Sequence, residues 1–323
     1  MFHAQANDHW EFHLAVKIQN NNQMKQSLLV VFLSILLLGL LSLLVGLRIE
    51  HVLLVGFYNF CFFIDSRTRK FVLAFTIFLV FGMLYDLMKA YPNYLVNHVD
   101  ISPLYHFEKA VFGFTCHGQL LTPNEFFAQY PTPFLDILSG LFYINWIPVP
   151  LAFAGYFYLK NKQQFLHFSL TFLLVNVLGF CIYYIHPAAP PWYVNQNGFD
   201  LNLSIQGDAA GLIRFDNLVH LPVFESIYTR NSNVFAAMPS LHSAYPVVVF
   251  YYAVKNRLGR INWLLALFMA GIWFSAVYSG HHYITDVLAG IVCAVTGILI
   301  FQKILLKTGT FKNWILKYTQ IIS

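Results

Sequence analysis

The stretch SLLVVFLSILLLGLLSLLVGL, residues 27–47, decides the class of fold. It is an uncharged run of 21 residues, and about 20 apolar residues cross the hydrocarbon core of a bilayer as a helix. A helix suits lipid because it satisfies its own backbone polar groups. The run is longer than the apolar part of a signal peptide and follows a polar leader, residues 1–26, so we expect it to be retained as a membrane span.

The composition extends this conclusion to the whole chain. Of the 323 residues, 58% are hydrophobic and 10% are charged, whereas soluble domains carry about 25% charged residues. The sequence therefore predicts an all-α, polytopic membrane helix bundle. Besides the first run, apolar segments predict spans near residues 51–64, 70–88, 135–159, 165–185, 241–254, 261–278 and 284–302.

Two long polar connections separate these spans, at residues 89–134 and 187–240. The first contains the amphipathic segment LYHFEKAVFGF, residues 104–114, which we expect to lie along the membrane interface. The four cysteines have no repeated spacing. They are expected to be small packing residues rather than a disulfide framework or a metal site.

The distribution of basic residues predicts the orientation. In the eight-span arrangement, 14 of the 19 Lys and Arg residues lie on the side of both termini and five lie on the other: Arg48, Lys89, Lys109, Arg214 and Arg230. The positive-inside rule then puts both termini in the cytoplasm and both long connections on the periplasmic or lumenal face. This bias also accounts for the net charge of +5 without a nucleic-acid partner.

The segment HHYITD, residues 281–286, places ionisable side chains at the start of a predicted span. His282 and Asp286 are four residues apart, so they share one face of a helix. His281 would point about 100° away and lie over Thr285. An aspartate that orients one imidazole nitrogen leaves the other available as a nucleophile or base. A solvated interfacial pair is the alternative, although ionisable groups within membranes are usually functional.

A second histidine, His242, lies where the connection 187–240 re-enters the membrane, in the segment AAMPSLHSAYP. Ser240 is predicted to be the N-cap of the next helix, which puts His242 in the first turn. Helix N-termini bind phosphate through unpaired N–H groups. We therefore expect two helix N-termini, bearing His242 and His282, to meet at one anion. Alone, His242 would more often be an interfacial histidine with satisfied hydrogen bonds.

A third segment, YYIHPAAPPWY at residues 183–193, lies at the same predicted membrane face. Its prolines end the preceding helix, and Trp192 and Tyr193 suit the headgroup region. A rigid interfacial turn explains this segment as well as a contribution to the site does.

These three segments, in this order, resemble the motifs of the type 2 phosphatidic acid phosphatase (PAP2) superfamily, KxxxxxxRP, PSGH and SRxxxxxHxxxD. PSLH at residues 239–242 matches the second motif with Leu241 in place of glycine. SAVYSGHHYITD at residues 275–286 matches the third with Ala276 in place of arginine.

The first motif is not matched, because Gly179 and His186 stand at its lysine and arginine positions. Three phosphate-binding cations of the superfamily are thus missing. These departures, together with APPWY, PSLHS and HHYxxD, are similar to the branch that contains inositol phosphorylceramide synthases, as is the segment at residues 85–113. The resemblance covers about residues 80–302.

The resemblance implies a six-helix catalytic core, preceded by about two N-terminal spans, and a two-step transfer through a phosphohistidine that needs no cofactor and no metal. His282 would attack phosphorus, Asp286 would orient it, and His242 would protonate the departing alcohol and later deprotonate the acceptor. The expected substrate-binding positions are His186, Ser240, His281, Tyr283, Trp192, Arg214 and Arg230, and Lys89 is a further candidate to replace a missing cation. The implied domains are a leader (1–26), N-terminal helices (27–66), the catalytic domain (67–306) and a basic tail (307–323).

The missing cations favour a phosphodiester monoanion over a phosphomonoester dianion, which demands more positive charge. Together with the resemblance to the inositol phosphorylceramide synthase branch, this implies the leading hypothesis: transfer of phosphoinositol from phosphatidylinositol to a ceramide within the membrane, with any partner subunit undetermined.

Three alternatives stay open at this point. A lipid phosphate or isoprenoid diphosphate phosphatase would use the same histidines with water as acceptor. A transporter would use them to carry protons or an anion, without lipid turnover. A zinc site could draw on His186, His242, His281, His282 and Asp286, although their spacing matches no recognised ligand pattern.

Overall fold

The computed structural model describes residues 24–229 and 233–323, and nearly all regular structure within them is helical. The helices are α1 Met24–Leu44, α2 Ile49–Ile64, α3 Ser66–Leu87, α4 Ser102–Phe112, α5 Pro123–Gln129, α6 Pro133–Tyr143, α7 Pro148–Lys160, α8 Lys162–Ile185, α9 Pro191–Asn197, α10 Ile213–Val219, α11 Val223–Tyr228, α12 Leu241–Lys255, α13 Ile261–Tyr278, α14 Ile284–Leu299 and α15 Gly309–Ile322. A short antiparallel hairpin pairs β1 Phe114–Cys116 with β2 Gln119–Leu121. The predicted all-α class is confirmed.

Several helices are long and apolar enough to cross a membrane. Among the described residues these are α1, α3, α8, α13 and the segment Ile284–Lys307, which extends α14. The predicted span at residues 135–159 is instead a pair of helices, α6 and α7, bent by 43°. Pro148 begins α7, and a proline has no N–H with which to continue the preceding helix. The bent pair would be a sixth span, while α2 and α12 are shorter, at 16 and 15 residues.

The chain divides into two compact units, Met1–Thr76 and Ile77–Ser323. In the first unit, Cys61, Phe62 and Val72 are buried together. The second unit contains the segments that the sequence singled out.

Helices α12 and α14 approach each other closely at the start of α12. The backbone N–H of Ser240 donates to the carbonyl of Asp286 at 2.9 Å. A Cβ added at Gly290 would lie 2.1 Å from the carbonyl oxygen of Ser240, so only glycine allows this approach. The hydroxyl of Ser240 accepts from the N–H of Ser243 at 3.3 Å, which confirms Ser240 as the N-cap of α12.

The long connections are built from short helices rather than from irregular loop. The connection at residues 89–134 holds α4, the hairpin and α5, and α4 covers most of the predicted amphipathic segment. Two Thr-Pro pairs begin α5 and α6, since the hydroxyls of Thr122 and Thr132 cap these helices and a proline occupies the next position. The connection at residues 187–240 holds α9, α10 and α11.

We expect Gly290→Ala to destabilise the protein, because the added methyl group meets backbone that cannot move independently. Overpacking of this kind costs about 1–3 kcal/mol. Gly155→Ala is the matched control, since a Cβ at Gly155 in α7 meets no atom within 4 Å and alanine favours a helix by up to about 1 kcal/mol. Thermal unfolding in detergent compares them, and an unchanged melting temperature for Gly290→Ala would contradict the close approach.

Candidate active site

The structure brings together the three residues that the resemblance assigns to catalysis. His242 Nδ1 lies 3.1 Å from His282 Nε2, within hydrogen-bond distance. His282 Nδ1 lies 3.6 Å from Asp286 Oδ2, slightly beyond a hydrogen bond. His282 is 4% exposed and Asp286 is fully buried. The three side chains thus form a continuous row, carboxylate to imidazole to imidazole, with few routes for water.

This row differs from the predicted one in its local structure. Helix α14 begins at Ile284, so His282 precedes the helix and does not share one of its turns with Asp286. The Asp286 carboxylate turns back to accept the backbone N–H of Tyr283 at 2.8 Å, as a residue three positions into a helix does when it caps the start. The same carboxylate oxygen faces His282, so the cap produces the expected proximity.

The prediction that the start of α14 forms an anion site is wrong. Glu108 of α4 is fully buried, and its carboxylate accepts the backbone N–H groups of Ile284 at 2.9 Å and Thr285 at 3.1 Å. It also accepts the Thr285 hydroxyl at 2.6 Å. A carboxylate therefore occupies the positive end of the helix, where the sequence predicted a phosphate.

His281 lies elsewhere than predicted. It does not lie over Thr285; its Nδ1 is 3.0 Å from the hydroxyl of Ser279, and its ring packs on Tyr228 with 4.2 Å between centroids. Because the chain is not yet helical at His281, the helical angle used in the prediction does not apply. Burial, with a smaller contribution from nearby His282, lowers the pKa of His281 to about 3, so this imidazole is neutral at physiological pH.

Aromatic rings surround the paired histidines. The His242 ring meets Trp146 edge to face at 4.5 Å and lies 5.2 Å from the ring of Tyr143. Tyr143 also lies 5.6 Å from the ring of His281. These apolar surfaces limit the water around the reactive nitrogens, which strengthens electrostatic interactions there.

The residues at the three missing cation positions pack against neighbouring side chains or lie beside a carboxylate. Gly179 lies against Leu241, since an added Cβ would be 2.6 Å from the Leu241 side chain. Ala276 is fully buried in an apolar cluster. His186 is 3.4 Å from the carboxylate of Asp100.

Three other cations are predicted as replacements: Arg214, Lys89 and Arg230. Within the described residues, none of them is seen to supply an uncompensated positive charge to the row of Asp286, His282 and His242. Arg214 lies 2.6 Å from the carboxylate of Asp136, which neutralises it. Lys89 lines a cavity of about 270 Å³ together with Tyr94 and Phe235. Arg230 lies outside the described residues.

The remaining predicted binding residues have structural contacts. Ser240 is fully buried as the N-cap of α12. Tyr283 is 1% exposed and packs with Leu104 and Ala188. Trp192 lies in α9 and is 6% exposed rather than set among headgroups, and its backbone N–H donates to Gly280 at 2.9 Å.

The zinc alternative does not fit the donor set. His186 is paired with Asp100, and His281 bonds to Ser279. Across the part of the chain that the structure describes, no three His, Cys, Asp or Glu side chains are grouped as metal ligands.

Asn124 and Glu108 are two buried residues near the site that the sequence reasoning missed. The amide of Asn124 donates to the carbonyls of Val277 at 2.8 Å and His282 at 2.9 Å, so it holds the loop between α13 and α14. A signal for Asn124 exists, because TPNE at residues 122–125 is a capping-box sequence that places it in the first turn of a helix. No comparable signal marks Glu108.

Comparison with known proteins agrees with this geometry. The sequence model of the PAP2 superfamily matches residues 104–300. The chain belongs to the PAP2 superfamily. The match includes Glu108, Asn124 and all three residues of the row, so the PAP2 region carries the whole constellation. No solved structure gives a significant match.

Curated PAP2-type relatives refine the position within the superfamily. The chain is 46% identical over 303 residues to the phosphoinositol dihydroceramide synthase of Bacteroides thetaiotaomicron, a match that covers 92% of this chain and 98% of the relative. It is 28% identical over 268 residues to the inositol phosphorylceramide synthase of Candida albicans, covering 81% of this chain and 54% of the relative. The catalytic subunit of the Saccharomyces cerevisiae inositol phosphorylceramide synthase is 27% identical over 213 residues, covering 61% of this chain and 50% of the relative. The resemblance to this branch is confirmed.

We expect Glu108→Ala to destabilise the protein, because it leaves the half-buried N–H groups at the start of α14 without an acceptor. A buried donor without a partner costs about 1–3 kcal/mol. The melting temperature in detergent should fall by several degrees, and Glu108→Gln, which keeps one acceptor oxygen, should fall less. Exposed Glu225 of α11 supplies the control Glu225→Ala, expected within about 0.5 kcal/mol of wild type. Equal melting temperatures for Glu108→Ala and this control would contradict the cap.

Proposed function

We propose that the protein transfers phosphoinositol from phosphatidylinositol to a ceramide within the membrane, through a phosphohistidine. The buried row of Asp286, His282 and His242 supports this transfer most directly, with 3.1 Å between His282 Nε2 and His242 Nδ1. Such a row holds a nucleophile, the group that orients it, and a proton donor for the leaving alcohol.

In the first step, His282 Nε2 attacks the phosphorus of phosphatidylinositol. The carboxylate of Asp286 faces Nδ1 and favours the tautomer with its proton there, which leaves the lone pair on Nε2. A nitrogen–phosphorus bond forms and the phosphorus–oxygen bond to diacylglycerol breaks. His242 gives its proton to the departing diacylglycerol oxygen, so diacylglycerol leaves as a neutral alcohol.

In the second step, a ceramide hydroxyl takes the place of diacylglycerol. His242, now without its proton, accepts the hydroxyl proton while the oxygen attacks phosphorus. The nitrogen–phosphorus bond breaks and His282 is regenerated. The two imidazoles are in contact, so they must separate for the phosphoryl group to reach His282 Nε2.

The electrostatics of the site favour a singly charged donor. Gly179, His186 and Ala276 stand at the three cation positions of the superfamily, and Arg214 is compensated by Asp136. A dianionic phosphomonoester would be poorly neutralised in so buried a site. A phosphodiester carries one charge fewer, which favours transfer over the phosphatase alternative.

The relatives favour the same choice of reaction. The Bacteroides protein is named for phosphoinositol and dihydroceramide, and the fungal proteins for inositol phosphorylceramide. All are named as synthases, so they support an enzyme over a transporter. A relative of Saccharomyces cerevisiae, 31% identical over 147 residues, is named an inositolphosphotransferase.

We place the site on the periplasmic or lumenal face and both termini in the cytoplasm. The reactive residues lie where α13 ends and where α12 and α14 begin. Basic residues lie at the opposite ends of these helices: Lys255 closes α12, Arg260 precedes α13 and Lys303 follows α14. Residues 67–306 form the proposed catalytic domain, with the leader 1–26, the helices 27–66 and the tail 307–323 outside it.

The function is tested with purified protein in detergent micelles containing phosphatidylinositol and a ceramide. We expect inositol phosphorylceramide and diacylglycerol in equal amounts, measured by mass spectrometry. Micelles without ceramide are the control. Release of inositol phosphate to water at the same rate with and without ceramide would contradict the transfer.

We expect His282→Ala to lose both turnover and the covalent phosphoenzyme, because no other imidazole has the Asp286 carboxylate beside it. Removing the nucleophile of such a unit costs at least about 10³-fold in kcat. His281→Ala is the matched control, since it removes the adjacent imidazole, and it should mainly raise KM. The phosphoenzyme is followed with phosphatidylinositol labelled at phosphorus. Equal losses of phosphoenzyme in the two variants would contradict the assignment of His282 as nucleophile.

A further inference from the structure

A cavity of about 180 Å³ lies beside the loop that carries the reactive histidine. Its lining includes Asn124, Trp192, Asn195, Gln196, Arg214 and Ser279. Gly280, which also lines it, immediately precedes the two adjacent histidines in the sequence. Sites for drug-sized ligands measure about 300–1,000 Å³, so this cavity suits a small headgroup rather than an acyl chain or a whole lipid.

Asn124, which lines the cavity, has a buried acceptor without a protein partner. The amide nitrogen of Asn124 donates to the carbonyls of Val277 and His282, which turns its oxygen the other way. That oxygen, Oδ1, is buried and has no hydrogen-bond partner. Asn124 as a whole is only 2% exposed. A buried acceptor of this kind calls for a ligand that donates hydrogen bonds.

Arg214, which lines the same cavity, has a buried donor without a protein partner. Arg214 bonds to Asp136 through Nε at 2.6 Å, and its guanidinium lies 5.3 Å from the ring of Tyr278. Its Nη2 is buried and has no hydrogen-bond partner. The ligand must therefore accept hydrogen bonds as well as donate them. A hydroxyl group does both, whereas a phosphate monoanion or dianion offers mainly acceptors.

The charge around the cavity points to a neutral ligand. The carboxylate of Asp136 pairs with Arg214 and also accepts the hydroxyl of Tyr278 at 2.8 Å. Arg214 and Asp136 together carry no net charge. Arg214 is the one Lys or Arg among the residues lining the cavity, so a phosphate there would meet no uncompensated cation. Trp192 adds an apolar face against which the carbon skeleton of a ring can pack.

We propose that this cavity binds the inositol ring of the donor lipid as a neutral polyol, with Arg214 and Asn124 as its hydrogen-bonding partners. The inference rests on the proposed function, and it assigns headgroup specificity to residues outside the row of Asp286, His282 and His242. Asn124 also bonds to the carbonyl of His282. The residue that contacts the ring therefore positions the nucleophile as well.

The test uses Ala128→Phe and Arg214→Lys in the full chain. Ala128 lines the cavity and is exposed on α5, so phenylalanine can fill the cavity without disturbing the core. Lysine keeps the charge that Asp136 needs but removes Nη2. Gln129→Phe is the matched control, since Gln129 is the exposed last residue of α5 and does not line the cavity.

We expect both cavity variants to raise the KM for phosphatidylinositol about tenfold, because Arg214→Lys removes a charged hydrogen-bond donor to the ring and Ala128→Phe fills the space that the ring would occupy. Their kcat should change much less. Free myo-inositol, used as a competitive inhibitor, should lose affinity in parallel, while Gln129→Phe should match wild type in both measurements.

The outcomes separate the two proposals. If wild type transfers phosphoinositol but both cavity variants keep its KM and its myo-inositol inhibition within twofold, the cavity does not bind the ring. If inhibition by inorganic phosphate weakens in Arg214→Lys while inhibition by myo-inositol does not, the cavity binds phosphate and the inference is overturned. If wild type transfers no phosphoinositol at all, the proposed function itself fails.

Discussion

The hydrogen bond from the backbone of Ser240 to the carbonyl of Asp286 is the contact on which the site depends. It fixes the start of α12 against the first turn of α14, and the absence of a side chain at Gly290 lets the two backbones meet. His242 is two residues beyond one end of this bond and His282 is four residues before the other. Both imidazoles are therefore positioned by backbone, which costs less conformational entropy during reaction than positioning by flexible side chains.

Support for this junction comes from the membrane connections as well as from the spans. Glu108 in α4 holds the start of α14, and Asn124 in α5 holds the loop that leads to it. Tyr105 of α4 donates to Glu125 of α5 at 2.6 Å, and Lys109 of α4 forms an ion pair with the same carboxylate at 3.3 Å. These contacts connect the two short helices. Burial raises the pKa of Tyr105, as does its hydrogen bond to Glu125, so the tyrosine keeps the proton that this contact requires.

The sequence predicts the class of fold and the proximity of His242, His282 and Asp286 because both leave local signals. Apolar runs mark the spans. The spacing of His282 and Asp286 predicts their proximity from a shared helical turn, whereas in the structure the cap at the start of α14 produces it. The sequence does not reveal that α14 begins after His282, because the start of a helix depends on capping partners that can be distant in the chain. The partner here is Glu108, 176 residues before Ile284. For the same reason, the sequence does not reveal that a carboxylate compensates the charge of Arg214. The carboxylate belongs to Asp136, which lies 78 residues away. The bend between α6 and α7 could have been predicted, because Pro148 is a local signal for a break in the helix.

The contact between Gly179 and Leu241 has a consequence for how such a site evolves. Gly179 stands where the first superfamily motif has lysine, and Leu241 stands where the second has glycine. The Leu241 side chain fills the space that the absence of a side chain at Gly179 leaves. A lysine at residue 179 would collide with Leu241 in the present packing, while glycine at residue 241 alone would open a cavity in the core. Neighbouring substitutions of this kind are not additive. A lineage that changes from lysine and glycine at residues 179 and 241 to glycine and leucine must change both positions together or pass through a less stable intermediate. The same requirement applies in reverse, so the pair of substitutions is difficult to undo.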